Sequence, residues 1–160
     1  MLNVGIGIGP TIYGNISVPP LMATLDYNLP IKDLPFFFGG FFEFAGTESK
    51  MNFTSDVKYT DTVTFLSVGG RFGYHLNWAA DKIDTYVVAG LGWTLFMVNR
   101  EKSGDWTGFL EPEENNKGSF LFDFSLGARY FFIPNIGIFG EIGGGYNSLS
   151  TISLGLSVKI

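Results

Sequence analysis

No cysteine occurs in the sequence, and only one histidine. That excludes disulfides and a thiolate metal centre, and leaves no His/Cys ligand set for zinc. Charge is also scarce. Asp, Glu, Lys and Arg make up 16% of the 160 residues, against about 25% in an ordinary soluble domain. The net charge of −5 offers no basic surface to nucleic acid. No apolar run reaches the roughly 18–20 residues that a membrane helix needs. The opening "MLNVGIGIGP" has no basic segment before its apolar residues, so no signal peptide is read there, and Met1 reads as the added start of a mature form.

What is abundant is Phe, at 17 residues, and Gly, at 22. Both suit strands and tight turns better than helices. The stretch "FLFDFSLGARYFF", 120–132, shows why. Phe120, Phe122, Phe124, Leu126, Ala128, Tyr130 and Phe132 form one alternate set. Leu121, Asp123, Ser125, Gly127, Arg129 and Phe131 form the other. A period of two means a strand with two unlike faces. The same alternation runs through 2–9, 21–29, 36–46, 63–76, 84–98, 119–132, 136–147 and 151–160. Eight strands and no helix are expected, in one domain, 1–160. Segments 10–20, 47–62 and 99–118 read as longer polar loops, and 30–35, 77–82 and 133–135 as short turns.

Alternation alone does not say which face is outside. Charge does. A water-soluble barrel must coat its outer surface with charged side chains. Here the less apolar face is mostly Gly, Ser, Thr and Asn, with only Asp26, Glu43, Arg71, Asp123, Arg129, Glu141 and Lys159 charged. That coat is too thin. The oily face therefore looks outward into hydrocarbon, and the small polar face looks inward. A lipid-facing sheet cannot leave open edges, so it must close. The expected fold is an all-β, eight-stranded antiparallel up-and-down transmembrane β-barrel.

In "YVVAGLGW" (86–93), "FSLGARYFF" (124–132) and the terminal "TISLGLSVKI", the chain resembles the small eight-stranded outer-membrane barrels of the OmpA/OmpX type, and also the OmpW-type barrels. The resemblance covers essentially all 160 residues. It implies an integral protein of the bacterial outer membrane, with lipid as its surroundings. It departs from the pattern at its end: such barrels usually finish on an aromatic residue, and this chain finishes on Ile160.

Eight strands enclose an interior just wide enough to be filled by side chains. Charges there must be paired or wetted. An interior network of Glu43, Arg71, Asp123, Arg129 and Glu141 is expected, with Glu43 beside Arg71 and Arg129 beside Glu141. His75 falls near the short-turn end of its strand, which argues against a histidine-based lipid hydrolase. No catalytic residues, metal site or cofactor are expected. In loop 99–118, Trp106, Phe109 and Leu110 stand among mixed charges and form a candidate binding surface. With loop 47–62 it can face a host or surface ligand, the barrel being a monomer. The resulting reading is a non-enzymatic barrel that presents loops for surface interaction or membrane integrity. The alternative is a narrow channel for small, mostly apolar molecules, which inward Met22, Phe37, Phe41, Phe65 and Phe96 keep open.

Overall fold

The computed structural model describes residues 1–9, 15–30, 34–54, 57–76, 82–103 and 115–160, the side chains of 51–54, 57–59, 100–103 and 115 excepted. Eight strands follow one another: β1 (Leu2–Ile8), β2 (Asn15–Asn28), β3 (Phe36–Thr54), β4 (Val57–His75), β5 (Ile83–Ser103), β6 (Asn115–Ile133), β7 (Ile136–Tyr146) and β8 (Ile152–Val158). Each pairs antiparallel with the next, and β8 returns to β1, so the sheet is a closed barrel. Closure removes the edges that hydrocarbon would not tolerate. The expected fold class is the observed one.

The barrel is inside out compared with a soluble domain. Val4, Ile6, Phe42, Val68, Leu91, Phe124, Leu126, Ile142 and Leu154 point outward and are exposed. Asn3, Thr24, Asp26, Ser67, Arg71, Thr94, Arg129 and Ser157 point inward and are buried. Two of the inward rings pack where the neighbouring strand is bare. Tyr86 lies against Gly127, its register partner, and a β-carbon on Gly127 would run into the Tyr86 ring. Phe37 stands in the same way against Gly73. Glycine at these inward positions makes room for a ring.

The walls are uneven in height. β3, β4 and β6 each hold 19 residues and β5 holds 21, whereas β1 and β8 hold 7. A tilted strand needs roughly 9–11 residues to cross the hydrocarbon. The tall strands therefore continue well beyond it as paired ribbons. This corrects the reading of 47–62 and 99–118 as loops: residues 47–54, 57–62, 99–103 and 115–118 are strand. Alternation fades there because neither face meets lipid, while the backbone ladder persists without it. Segment 10–20 was likewise read as a connection, yet β2 starts at Asn15 and runs through Pro19 and Pro20. It does so with two register shifts against β3, between Ile16 and Val18 and between Val18 and Leu21.

The turn from β7 to β8 is held by Asn147, which sits at φ 59°. Asn tolerates this left-handed backbone better than most residues. Its side-chain amide donates to Ser119 Oγ at 2.9 Å and to the Phe120 carbonyl at 2.7 Å. The short turn is thereby pinned to the tall wall of β6.

Candidate functional site

The buried charges gather in the half of the barrel near the short turns. Arg129 on β6 is fully buried and reaches across the lumen. Its Nη2 donates to Asp26 Oδ2 of β2 at 2.6 Å, its Nη1 to Asp84 Oδ2 of β5 at 2.9 Å, and its Nε to Asn3 Oδ1 of β1 at 3.3 Å. Its guanidinium carbon lies 4.0 Å from the centroid of the Tyr86 ring. A charge-assisted fork of this kind satisfies a buried cation on nearly every side.

Arg71 on β4 forms the next layer. Its Nη2 donates to Glu141 Oε1 of β7 at 2.7 Å, and Tyr86 Oη donates to the same oxygen at 2.7 Å. Its Nε lies 3.2 Å from Asp26 Oδ1, an ion contact without hydrogen-bond alignment. Asp26 is thus shared by two arginines. The Phe37 ring lies 5.9 Å from Arg71 and 5.7 Å from Arg129. Below them, His75 Nδ1 meets Asp84 Oδ1, and His75 Nε2 lies 3.2 Å from Asn28 Oδ1. Both ring nitrogens are engaged by these partners.

Of the five charges expected inside, Arg71 and Glu141 come together, and Arg129 lies in the adjacent layer. Two expected pairings are corrected. Arg71 meets Glu141 and Asp26, not Glu43. Arg129 meets Asp26 and Asp84, not Glu141. A guanidinium crosses so narrow a lumen, so its partner need not lie on the next strand. Glu43 and Asp123 sit above the network, and neither forms an ion pair among the described residues. They line a cavity of about 20 Å³ with Met22, Phe41, Arg71 and Glu141, under the β7–β8 turn at Ser148 and Ser150. Its size suits about one water molecule.

Asp26, Asp84, His75, Tyr86 and Asn3 complete the network; Asp26 was read from sequence only as an inward charge and His75 only by its place on its strand, and the other three were not singled out. Their signal was present, since all five occupy inward places in the alternation. The candidate surface of Trp106, Phe109 and Leu110 lies outside the described residues.

The arrangement can hold the barrel closed. Removing one partner of an ion pair taken fully out of water destabilises a protein by roughly 3–5 kcal/mol, because the other charge stays buried without it. Here five ionisable groups from β2, β4, β5, β6 and β7 share such contacts.

Comparison with solved structures finds the attachment invasion locus protein Ail of Yersinia pestis. Its complex with the heparin analogue sucrose octasulfate is 13% identical, over 97% of this chain and 89% of that one, with a TM-score of 0.46. A second structure of Ail is 14% identical, over 97% of this chain and 88% of that one, with a TM-score of 0.41. No curated protein matches significantly. Residues 4–159 match the family model described as the outer membrane protein beta-barrel domain. The chain belongs to that family, and it is an integral β-barrel of the bacterial outer membrane.

Proposed function

We propose that this protein is a non-enzymatic, monomeric barrel whose lumen is closed by its ion-pair network and whose tall hairpins present a surface outside the cell. The observation that carries this reading is Asp26, fully buried between Arg71 and Arg129, with Glu141 and Asp84 completing the pairs. A layer of salt bridges drawn from five strands opposes passage of solutes and fixes the register of the wall. The β3–β4 and β5–β6 hairpins supply the presenting part. The β3–β4 ladder runs up to Thr54↔Val57, the β5–β6 ladder to Val98↔Asn115, and above that β5 stays paired to β4 as far as Lys58↔Ser103. Trp106, Phe109 and Leu110, in the sequence between β5 and β6, are the proposed anchors, because buried aromatic anchors dominate interface energies.

The experiment is conductance in planar bilayers together with binding to host cells. A sealed barrel gives no steady ion current as wild type, and it gives current when Arg71 and Arg129 are both truncated to alanine. A steady current through the intact protein would instead favour the channel for small apolar molecules. That reading draws on the apolar side chains above the network, Met22, Phe41, Phe65 and Val88.

A further inference from the structure

The turn between β7 and β8 does not stand clear of the barrel mouth. It folds into it. The ladder between the two strands ends at Ile142↔Ile152, and the turn leans over the lumen above that point. Ser148, Ser150 and Thr151 line the cavity above the ion-pair network, together with Glu43 of β3 and Arg71 of β4. Those strands stand three and four places round the barrel from β8. The wall of β1 is shaped to receive the turn. Gly7 and Gly9 share the inward face with Asn3. A β-carbon on Gly7 would run into the Ser150 side chain, and one on Gly9 into the Leu149 carbonyl. Bare backbone on β1 thus makes room for the turn, as Gly127 does for the Tyr86 ring.

Few bonds hold the turn down. The Asn147 amide donates to Ser119 Oγ and the Phe120 carbonyl of β6, and the Asn147 carbonyl accepts from Thr94 Oγ1 of β5 at 3.4 Å. At the other foot, the Thr151 N–H donates to the Ile8 carbonyl of β1 at 2.8 Å. Ser148 Oγ braces the turn by donating to the Ser150 carbonyl at 3.1 Å. In the middle, the Leu149 N–H donates to the buried carboxylate of Glu43. Side-chain bonds at single residues release a segment far more readily than a backbone ladder does.

We propose that residues 147–151 form a releasable cap over the outer end of the lumen, latched to β5 and β6 by Asn147 and to β3 by Glu43. Release of the latch opens the chamber above the ion-pair network to the outside. The turn lies at the same end as the tall β3–β4 and β5–β6 hairpins, which is the extracellular end. The cap rests on the closed-barrel reading, to which it adds a second closure in series. In the barrel with Arg71 and Arg129 truncated to alanine it is the remaining closure, so the current there comes in bursts.

The test is thiol labelling, since the chain has no cysteine of its own. Ser125→Cys places a thiol in the chamber. Ser157→Cys places one deeper, at the level of Asn3, its register partner. Lys50→Cys, on the exposed part of β3, counts the barrels whose tall end faces out. The probe is trimethylammonium-ethyl methanethiosulfonate, added outside sealed phosphatidylcholine vesicles, on samples that pass the heat-modifiability test for folding. Asn147→Gly keeps the left-handed backbone and removes only the side-chain bonds. Losing two hydrogen bonds should raise the labelling rate at 125 roughly tenfold or more. Glu43→Leu should raise it as well, and serves if Asn147→Gly does not fold. Position 157 should stay unlabelled throughout. Equal rates at 125 in wild type and both variants, fast or slow, overturn the cap. So does a steady current in the double alanine barrel that Asn147→Gly leaves unchanged. Labelling at 157 from outside would instead sink the closed network, and the ratio of rates at 125 would still decide the cap.

Discussion

Arg129 and Asp26 lie 103 residues apart in the chain and on strands that do not touch, yet their side chains meet at 2.6 Å across the lumen. Both are fully buried. Asp26 also faces Arg71, so one carboxylate serves two cations, one from β4 and one from β6.

That sharing makes Asp26 the costliest acid to remove. Asp26→Leu alone should destabilise the barrel by roughly 3–5 kcal/mol, because it takes the shared partner from two buried arginines and leaves each with a single acid. The pair Asp26→Leu with Arg129→Met should cost less than the sum of the single changes. Glu43→Gln, which breaks no ion pair among the described residues, should cost distinctly less than Asp26→Leu. Urea unfolding in lipid vesicles, followed by tryptophan fluorescence, gives all four values. Equal costs for Asp26→Leu and Glu43→Gln would remove the network from its place at the centre of stability.

The inward glycines give a steric prediction. Gly127→Val places a branched side chain into the Tyr86 ring and should prevent or greatly slow closure of the barrel. Gly144→Ala has nothing near its β-carbon. It should fold like wild type, within about 0.5 kcal/mol. Gel mobility before and after boiling separates closed from open chains.

The outward face carries a prediction about solvent. Leu126 is exposed midway along the apolar face of β6. Leu126→Arg should cost about 2–4 kcal/mol in a bilayer, the range measured for arginine at the midplane of such barrels. Asn116→Arg, at the far end of the same strand, should cost much less. A soluble protein would tolerate both, and would remain monodisperse without detergent.

The surface reading is tested by deletion. Replacing 104–114 with a short Gly-Ser turn leaves the β5 and β6 ladder intact, and loop length costs little stability. Folding and membrane insertion should survive, while binding to host cells is lost. Binding that persists in this variant would move the docking surface away from Trp106, Phe109 and Leu110. If the barrel instead carries small apolar solutes, their uptake should survive the deletion and fail with bulky changes at Gly90 or Gly92, both of which face crowded lumen.

The sequence by itself determined the eight strands, their alternation and the solvent outside. Period two sorts side chains into faces whatever the partner strand, and a face with almost no charge has only hydrocarbon to look into. It set strand ends well where lipid ends the alternation, as at Phe36 and Ile136. It set them poorly at Thr54 and Ser103, where the ladder runs on between two wet faces. Tertiary structure alone decided which charge meets which. In a lumen one side chain wide, an arginine on β6 reaches β2 as readily as β5, and no spacing along the chain records that reach.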